Sequence, residues 1–233
     1  MVEFADSLSW TYVMGGLARE YSNTQGLVVE WLNAADEGAM PLDPRLWTEG
    51  PIASTYPACM AVKAATEQSS DGGYAYLRAL REGLFCFRRK LDTTEALVEE
   101  ARRVKLDVER FRIDLGSHAI VEAFGADLEQ TREAGVPLPT IVFEGGDGTS
   151  HTVAGFRPYD EYREAAEAAG ATAVGEPPPV LDAIKRFGRL ATKEVEEICG
   201  LATPVAGAQL WQLAADWKLR PVRVLTGYLW ESA

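Results

Sequence analysis

Hydrophobic positions along the chain change their spacing from one region to the next, and each spacing predicts a different kind of structure. Near the amino end, residues 8–14 alternate large apolar side chains with others and stop at Gly15, which predicts a β-strand followed by a turn. Between residues 57 and 134 the spacing becomes helical, as at Leu77 and Leu80, which share one apolar face. The predicted helices cover residues 25–36, 57–68, 73–89, 93–104, 108–115 and 117–134.

Polar residues stand where two of these helices begin. Asp92 or Thr93 precedes one helix and Asp107 precedes the next. Their side-chain oxygens can accept hydrogen bonds from the unpaired amides of the first helical turn. We therefore expect them to act as N-caps.

The region after residue 139 has the pattern of a hairpin followed by a helix. Thr140–Glu144 is a short apolar strand, and the turn residues Gly145–Gly148 separate it from a second strand, Ser150–Phe156. Pro158 then begins a helix that runs to about residue 169. The long helical region is thus followed by strand, turn, strand and helix.

A proline-rich joint divides the chain near residue 175. Residues 170–179 read GATAVGEPPP, and three consecutive prolines favour an extended spacer. We therefore predict one domain over residues 1–170 and another over residues 180–233. The second domain has three predicted helices followed by a hairpin around Gly227, a pattern similar to a small winged helix. These elements cover residues 181–187, 192–199, 204–217, 220–226 and 228–230.

Composition places the chain among ordinary globular proteins. It has 233 residues, of which 47% are hydrophobic and 25% are charged, so it can bury a sizeable core. Its apolar runs are far shorter than the roughly 20 residues that a membrane-spanning helix needs. The first ten residues have neither the basic nor the apolar region of a signal peptide, so we expect no membrane partner and a cytoplasmic location.

Acidic residues outnumber basic ones, with 35 Asp and Glu against 23 Lys and Arg and a net charge of −12. Proteins that bind nucleic acids are more often basic. The third helix of the winged-helix-like segment offers Gln209 and Gln212 but no Arg or Lys for reading bases. We therefore do not expect DNA as a partner and expect this helix to pack or to contact protein.

The three cysteines, Cys59, Cys86 and Cys199, are odd in number and widely spaced. No pair has the CxxC spacing, and no Cys/His cluster has the spacing of a zinc site. This pattern is typical of a reduced intracellular protein, and it predicts no metal and no cofactor.

Residues 136–140, Val-Pro-Leu-Pro-Thr, stand directly before the predicted hairpin. This loop, together with several other segments, resembles the DsbA-like thioredoxin family, in particular its cytosolic FrnE-like branch. In that fold a cis-proline precedes the third strand, and we assign the cis bond to Leu138–Pro139. The hairpin and helix after this loop and the helices before it fit the same family. The other similar segments are Trp10–Gly16, Gly38–Trp47, Ser54–Ala58, Val62–Ala65 and Leu106–Phe111.

The resemblance implies an α/β, thioredoxin-like fold of the DsbA type with a helical insertion at about residues 39–134. In this family the redox CxxC follows the first strand and begins the first long helix. Here residues 10–16 match the second strand, and Val2–Asp6 match the end of that first helix, so on this register the first strand, the CxxC and most of the first helix are absent from the chain. Either the gene starts upstream of Met1, or a different segment fills the gap. A rival register makes Val2–Ala5 the first strand and places residues 7–10 at the active-site turn.

Each register suggests its own site residues. Cys59 lies close to a predicted helix start, where the helix dipole lowers a thiol pKa, although a buried packing role suits it as well. Under the rival register, Ser7 or Ser9 would take the place of the nucleophilic cysteine. The resemblance also implies that Leu138, Pro139 and Thr140 form a sheet edge that accepts an extended peptide or a thiol ligand.

These observations leave three hypotheses for function. The first is a homologue of the DsbA-family thiol–disulfide oxidoreductases that is redox-inactive in this chain, because thiol–disulfide exchange needs two thiols that CxxC would supply. The second is a non-catalytic protein-binding adaptor that uses the cis-proline groove. The third is a glutathione-type transferase or isomerase that uses an active-site serine.

Overall fold

A computed structural model of the protein describes residues 2–4 and 7–233. The chain forms two compact units, and each is built from two separate stretches of sequence. The first unit contains Met1–Gly15 and Ala126–Pro177, and the second contains Gly16–Gly125 and Pro178–Ala233. In the described part of the chain, every helix is too short or too polar to cross a membrane.

Helices dominate the second unit, and polar side chains cap several of them as predicted. The Thr93 hydroxyl accepts from the Ala96 amide, and Asp107 accepts from two amides of the next helix. Tyr76 and Phe111, both fully buried, lie in contact between these helices with ring centroids 5.2 Å apart. The helices are α1 (Leu27–Gly38), α2 (Leu46–Glu49), α3 (Tyr56–Thr66), α4 (Ser70–Arg81), α5 (Thr94–Arg103), α6 (Val108–Leu115) and the start of α7 (His118–Ala134).

The apolar spacing predicts an α-helix that continues to residue 89. In the structure, helix α4 ends before that residue. It changes to one turn of π-helix at Glu82–Cys86, here called the π turn. Such turns are rare, and nothing in the hydrophobic spacing distinguishes them from α-helix. After the π turn, Arg88 has a left-handed backbone with φ 53°.

The carboxyl-terminal residues of the second unit form three helices and a small antiparallel sheet. Strand order in this sheet is β3–β5–β4, and a two-residue loop, Leu225–Thr226, joins β4 to β5. Trp230 is 1% exposed at its centre, and its indole N–H donates to the Thr192 hydroxyl at 2.9 Å. The elements are α9 (Val180–Phe187), β3 (Leu190–Ala191), α10 (Thr192–Cys199), α11 (Thr203–Ala215), β4 (Leu219–Val224) and β5 (Gly227–Ser232).

Ion pairs join this carboxyl-terminal part to helix α4 and the π turn. The Arg78 guanidinium hydrogen-bonds Glu82 at 2.7 Å and Glu194 at 2.9 Å. Arg189 bonds Glu82 and Glu231, both at 2.8 Å. Burial lowers the pKa of Arg78, but the hydrogen bond and charge of Glu194 outweigh it and raise the pKa. Arg78 therefore stays protonated, and the network holds residues distant in sequence together.

In the first unit, a β-hairpin packs against one helix. Strands β1 (Thr140–Glu144) and β2 (Ser150–Ala154) pair antiparallel, and α8 (Tyr159–Ala168) follows them. Gly148 closes the turn with φ 85°, a backbone conformation that favours glycine. The small core of the unit consists of Phe4, Phe143, Val153, Ala165 and Ala166.

Residues 8–14 do not form the predicted strand. A strand needs a hydrogen-bonded neighbour, and in residues 2–4 and 7–233 no segment pairs with them along a ladder. Instead, the Met14 amide donates to the Asp127 carboxylate at 2.8 Å, which ties the segment to helix α7. The alternation of large side chains therefore did not predict a paired strand here.

The structure also bears on both registers of the amino end. Residues 2–4 form a turn, whereas the rival register places a strand there. Ala5 and Asp6 lie outside the described residues, so the remainder of both segments is not described. The Glu3 carbonyl accepts from the amides of Val174 and Gly175, both at 2.9 Å, and so fastens this turn to the proline-rich joint.

The predicted joint at residues 170–179 includes the point, after Pro177, where the chain passes from one unit to the other. Residues 178–233 then group with residues 16–125 rather than forming a compact unit of their own. A compact unit and a folding domain need not coincide, so the predicted domains 1–170 and 180–233 stay predictions. The winged-helix-like interpretation of the carboxyl-terminal helices and sheet also stays a prediction.

Candidate functional site

The loop before β1 is the main exposed feature of the first unit. The Leu138–Pro139 peptide bond is cis, at the position assigned from the sequence. Leu138 is 53% exposed, and Pro139 is exposed beside it. The Thr140 hydroxyl donates to the Pro137 carbonyl, and the Gly155 amide donates to the Pro139 carbonyl at 2.8 Å. These bonds fix the loop onto the hairpin while the Leu138 side chain faces solvent.

Strand β1 has one paired edge and one open edge. Gly145 donates to the Thr149 carbonyl just beyond the strands, so the register makes 141/153 and 143/151 the hydrogen-bonded pairs. The backbone N–H and C=O groups of Thr140, Val142 and Glu144 consequently point to the other edge. Within the described ranges, no strand pairs with that edge. A row of unpaired donors and acceptors is a template for an added strand.

Exposed apolar side chains lie along this edge before Glu144. The Val142 side chain is 51% exposed, although Phe143 beside it is buried in the core. A Cβ placed on Gly15 would lie 2.8 Å from Leu138 Cδ1, so the Leu138 side chain lies directly over that glycine. We call Leu138, Pro139, Thr140 and Val142 the β1 edge surface.

Asp127 supports the neighbouring segment from helix α7. It is only 8% exposed, and its carboxylate accepts the Met14 amide. One turn further along the helix, the Thr131 hydroxyl donates to the Asp127 carbonyl at 2.8 Å, and Thr131 Cγ2 stands 3.4 Å from a Cβ built on Gly15. Asp127 thus orients the segment that lies under Leu138, a role that nothing in the sequence pattern indicates.

The cysteines lie in three different elements of the fold and have different surroundings. Cys59 lies in the first turn of α3, close to a helix start as the sequence predicts, and it is half-buried. Burial raises the pKa of Cys86 to about 12, and its Sγ donates to the Pro41 carbonyl. Burial also raises the pKa of Cys199, which packs in the core of the carboxyl-terminal part. A thiol with a raised pKa is a poor source of the nucleophilic thiolate.

Ser7 and Ser9 are both exposed. Ser7 Oγ lies 2.7 Å from the Phe4 carbonyl oxygen and 3.1 Å from that of Thr172, and it accepts from the Thr172 amide. Its hydroxyl therefore fastens the amino end to the joint, which is a structural role. The proposal of an active-site serine at position 7 or 9 gains no support from these contacts.

The described residues contain no group of three or more His, Cys, Asp or Glu side chains arranged to hold a metal ion. His118 is highly exposed on α7, where it faces Glu122 at 3.2 Å. Exposed pairs of this kind along a helix are common and contribute little.

Comparison with known proteins agrees with the fold. A family model described as thioredoxin matches residues 4–164. A solved structure from Nitrosomonas europaea, described as a candidate protein disulfide isomerase, superposes with a TM-score of 0.59 over 66% of this chain and 78% of its own, at 18% identity. The DsbA-like, thioredoxin fold with a helical insertion that the sequence predicts is therefore confirmed.

Relatives among characterised proteins bear one name. The ClpXP adapter protein SpxH of Halalkalibacterium halodurans is 33% identical over 205 residues, which cover 86% of this chain and 67% of the relative. The ClpXP adapter protein SpxH of Bacillus subtilis is 31% identical over 88% of this chain and 71% of its own length. The chain therefore belongs to the thioredoxin family and is a homologue of the SpxH proteins.

Proposed function

We propose that the protein is a non-catalytic adaptor that binds an extended segment of another protein along the β1 edge surface. The observation that carries the proposal is the open edge of β1, which combines outward-pointing backbone groups at Thr140, Val142 and Glu144 with exposed apolar side chains. The homologues named ClpXP adapter protein support the same conclusion, because an adapter acts by binding proteins.

The geometry of the edge suits a peptide in strand conformation. Added strands gain affinity from backbone hydrogen bonds, and alternate side chains give specificity by contacting neighbouring residues. Val142 and Thr140 lie two residues apart and so share one face of the strand. A partner with small or branched apolar residues at alternate positions would contact both that face and Leu138.

The cysteines favour binding over redox chemistry. Exchange of a disulfide requires an attacking thiolate and a second thiol to resolve the mixed disulfide. Cys59, Cys86 and Cys199 are separated by more than twenty residues in sequence, and two of them have raised pKa values. We therefore expect this chain to give no signal above background in an insulin-reduction assay with dithiothreitol. Reduction of insulin by the purified chain would overturn the non-catalytic assignment.

Binding at the edge is tested with peptides selected from a phage-displayed random library on the immobilised chain. The tightest peptide is labelled and its affinity measured by fluorescence anisotropy. Leu138→Asp is expected to weaken binding at least about tenfold, because it puts a charge in an apolar contact. The matched control Leu17→Asp changes a leucine that is 77% exposed outside the surface and is expected to leave binding unchanged. Equal affinity for both variants would overturn the proposed location.

The adaptor role needs a second readout. The selected peptide is fused to green fluorescent protein, and loss of fluorescence is followed with purified ClpXP and ATP, with and without this chain. We expect the chain to accelerate degradation of the fusion but not of green fluorescent protein alone, and we expect Leu138→Asp to abolish the acceleration. Binding without acceleration would show a peptide-binding protein that is not a ClpXP adaptor.

A further inference from the structure

An arginine-lined cleft lies within the second unit and is separate from the β1 edge surface. Its volume is about 290 Å³. Arg45, Arg88 and Arg223 line it together with the carboxylate of Asp43, and Phe87 and Val224 form an apolar part of its wall. These residues come from the loop before α2, the end of the π turn and the end of β4. No sequence motif connects them.

Backbone contacts hold these three segments in a fixed arrangement. The Asp43 amide donates to the Phe85 carbonyl at 2.7 Å, and the Leu42 amide donates to the Thr226 hydroxyl at 2.7 Å. Beneath the cleft, Ala191, Val224 and Leu229 form a buried cluster with Met40 and Phe87 packed against it. The cleft is therefore part of the folded core of the unit and does not depend on a mobile loop.

Asp43 organises two of the guanidinium groups. Its side chain is 5% exposed and accepts from Arg45 Nε at 2.8 Å and Nη2 at 2.5 Å, while Arg88 Nε lies 3.4 Å away. Hydrogen bonds from Arg45 lower the pKa of Asp43, so the carboxylate stays ionised. Arg88 also pairs with Glu49, and its left-handed backbone sets the direction in which its side chain leaves the chain.

Among the residues that the structure describes, no carboxylate pairs with Arg223, unlike the other two arginines of the cleft. The Arg223 guanidinium is exposed, donates to the Leu225 carbonyl at 3.2 Å and lies 4.8 Å from the centre of the Tyr228 ring. Three guanidinium groups with the carboxylates of Asp43 and Glu49 leave one positive charge, on a chain whose net charge is −12. A polyanion such as nucleic acid would be repelled by that net charge, whereas one carboxylate would find a local attraction.

We propose that this cleft binds a carboxylate group of a peptide, with an adjacent apolar side chain against Phe87 and Val224. The planar arginine fork matches a carboxylate, and the guanidinium-bearing residues Arg45, Arg88 and Arg223 line one half-open cleft. The apolar wall favours a peptide over inorganic phosphate, which has no apolar part to bury. The site is a second contact for a protein partner and stands or falls independently of the β1 edge surface.

The test uses small peptides and the full chain, with affinity measured by amide chemical-shift changes in NMR titrations. The probes are acetyl-Ala-Ala-Leu with a free carboxylate, the same peptide as its amide, acetyl-Ala-Glu-Leu-amide, and inorganic phosphate. We expect the amide to bind about tenfold more weakly than the free acid, because it loses a charge-assisted hydrogen bond. Tighter binding of the free acid than of the glutamate peptide would assign the site to a carboxyl terminus, and the reverse to an acidic side chain.

Variants locate the site. Arg223→Ala is expected to weaken binding of the free acid about fivefold, which is the largest change in affinity expected from losing one partly exposed ion pair. Arg102→Ala removes an arginine that pairs with Glu99 on an exposed face of α5, and it is expected to change nothing. If Arg223→Ala unfolds, the comparison of acid and amide on the unchanged chain decides the question alone. Equal binding of acid and amide, no binding of either, or phosphate binding as tight as the acid would overturn the proposal.

Discussion

Two small antiparallel sheets in this protein differ in how their edge strands meet solvent. In the first unit, β1 carries the half-buried Thr140 and the exposed Val142 at an edge that no described strand pairs with, and it has no charged side chain before Glu144. In the second unit, β4 is also an edge strand, but Arg220, Pro221 and Arg223 occupy it. Charged residues and proline at an edge oppose the addition of another strand.

The position of Pro221 is specific. Ala233 donates to the Lys218 carbonyl, and the register then places residues 220/231 and 222/229 in the hydrogen-bonded pairs. Residue 221 would therefore direct its N–H outward, and proline has none. The contrast with β1 shows that the same kind of sheet can end in a blocked edge or in one suited to a partner, and that a few side chains decide which.

The largest expected effect tests whether the blocked sheet is also the more firmly anchored one. Trp230→Ala removes a side chain that is 1% exposed and donates a hydrogen bond to Thr192. Its ring centroid lies 4.9 Å from that of Trp211. We expect the free energy of unfolding to fall by about 3–5 kcal/mol, measured by urea denaturation followed by circular dichroism. Trp217→Ala, at a tryptophan that is 86% exposed, should change it by no more than about 0.5 kcal/mol. Similar losses would contradict the assignment of Trp230 as the anchor.

A smaller effect is expected from the ion-pair network that fastens this sheet to α4. Arg78→Ala leaves the carboxylates of Glu82 and Glu194 without their shared partner. We expect a loss of about 2 kcal/mol in the same denaturation experiment, because partly buried carboxylates lose charge-assisted hydrogen bonds. The control is Arg102→Ala in an exposed pair, with a loss below about 0.5 kcal/mol. An Arg78 variant as stable as that control would show that the network is not what joins the segments.

The open edge is tested by making β1 resemble β4. Val142→Lys puts a charge at a half-exposed position of the edge, so stability should change by less than about 0.5 kcal/mol. Binding of the selected peptide should fall about tenfold, because the lysine opposes strand addition. Val121→Lys is a close match, since Val121 is 52% exposed and Val142 is 51%. Equal peptide affinity in the two lysine variants would count against strand addition at β1.

The smallest effect concerns acid sensitivity. Burial raises the pKa of Glu231, but hydrogen bonds from Arg220 and Arg189 outweigh it and lower the pKa below its ordinary value. A carboxyl group whose pKa is lower in the folded state than in the unfolded state stabilises the fold fully at pH values above the unfolded pKa, which is about 4.3. This stabilisation is lost as the pH falls through the folded pKa. Denaturation curves at neutral and acidic pH should therefore show that the free energy of unfolding falls less below about pH 4.3 in Glu231→Gln than in the unchanged chain. Parallel pH profiles would contradict this role.

Local signals in the sequence predicted most elements of the fold. The turn at Gly145–Gly148 located β1, and the caps at Thr93 and Asp107 located two helices, because turns and caps depend on nearby residues. The prediction of a strand at residues 8–14 was wrong because a strand depends on a neighbour that local alternation cannot identify. The π turn was not predicted either, because its hydrophobic spacing is that of an α-helix.

The candidate surfaces were predictable to different degrees. The sequence led to Leu138, Pro139 and Thr140 as candidates because family resemblance carries information about position in a fold. Val142 was missed, since alternation alone does not say whether the outer face of a strand is covered. The arginines of the cleft were missed altogether, because Arg45, Arg88 and Arg223 are brought together only by tertiary contacts.

The interleaved order of the two units has a consequence for synthesis. Phe4 belongs to a core whose other members lie beyond residue 140, and residues 16–125 of the other unit are made in between. At the usual speed of translation, that stretch takes roughly 5 to 20 seconds to emerge. Phe4 therefore cannot be buried in this core until the hairpin has left the ribosome. Until then its apolar side chain is accessible to chaperones.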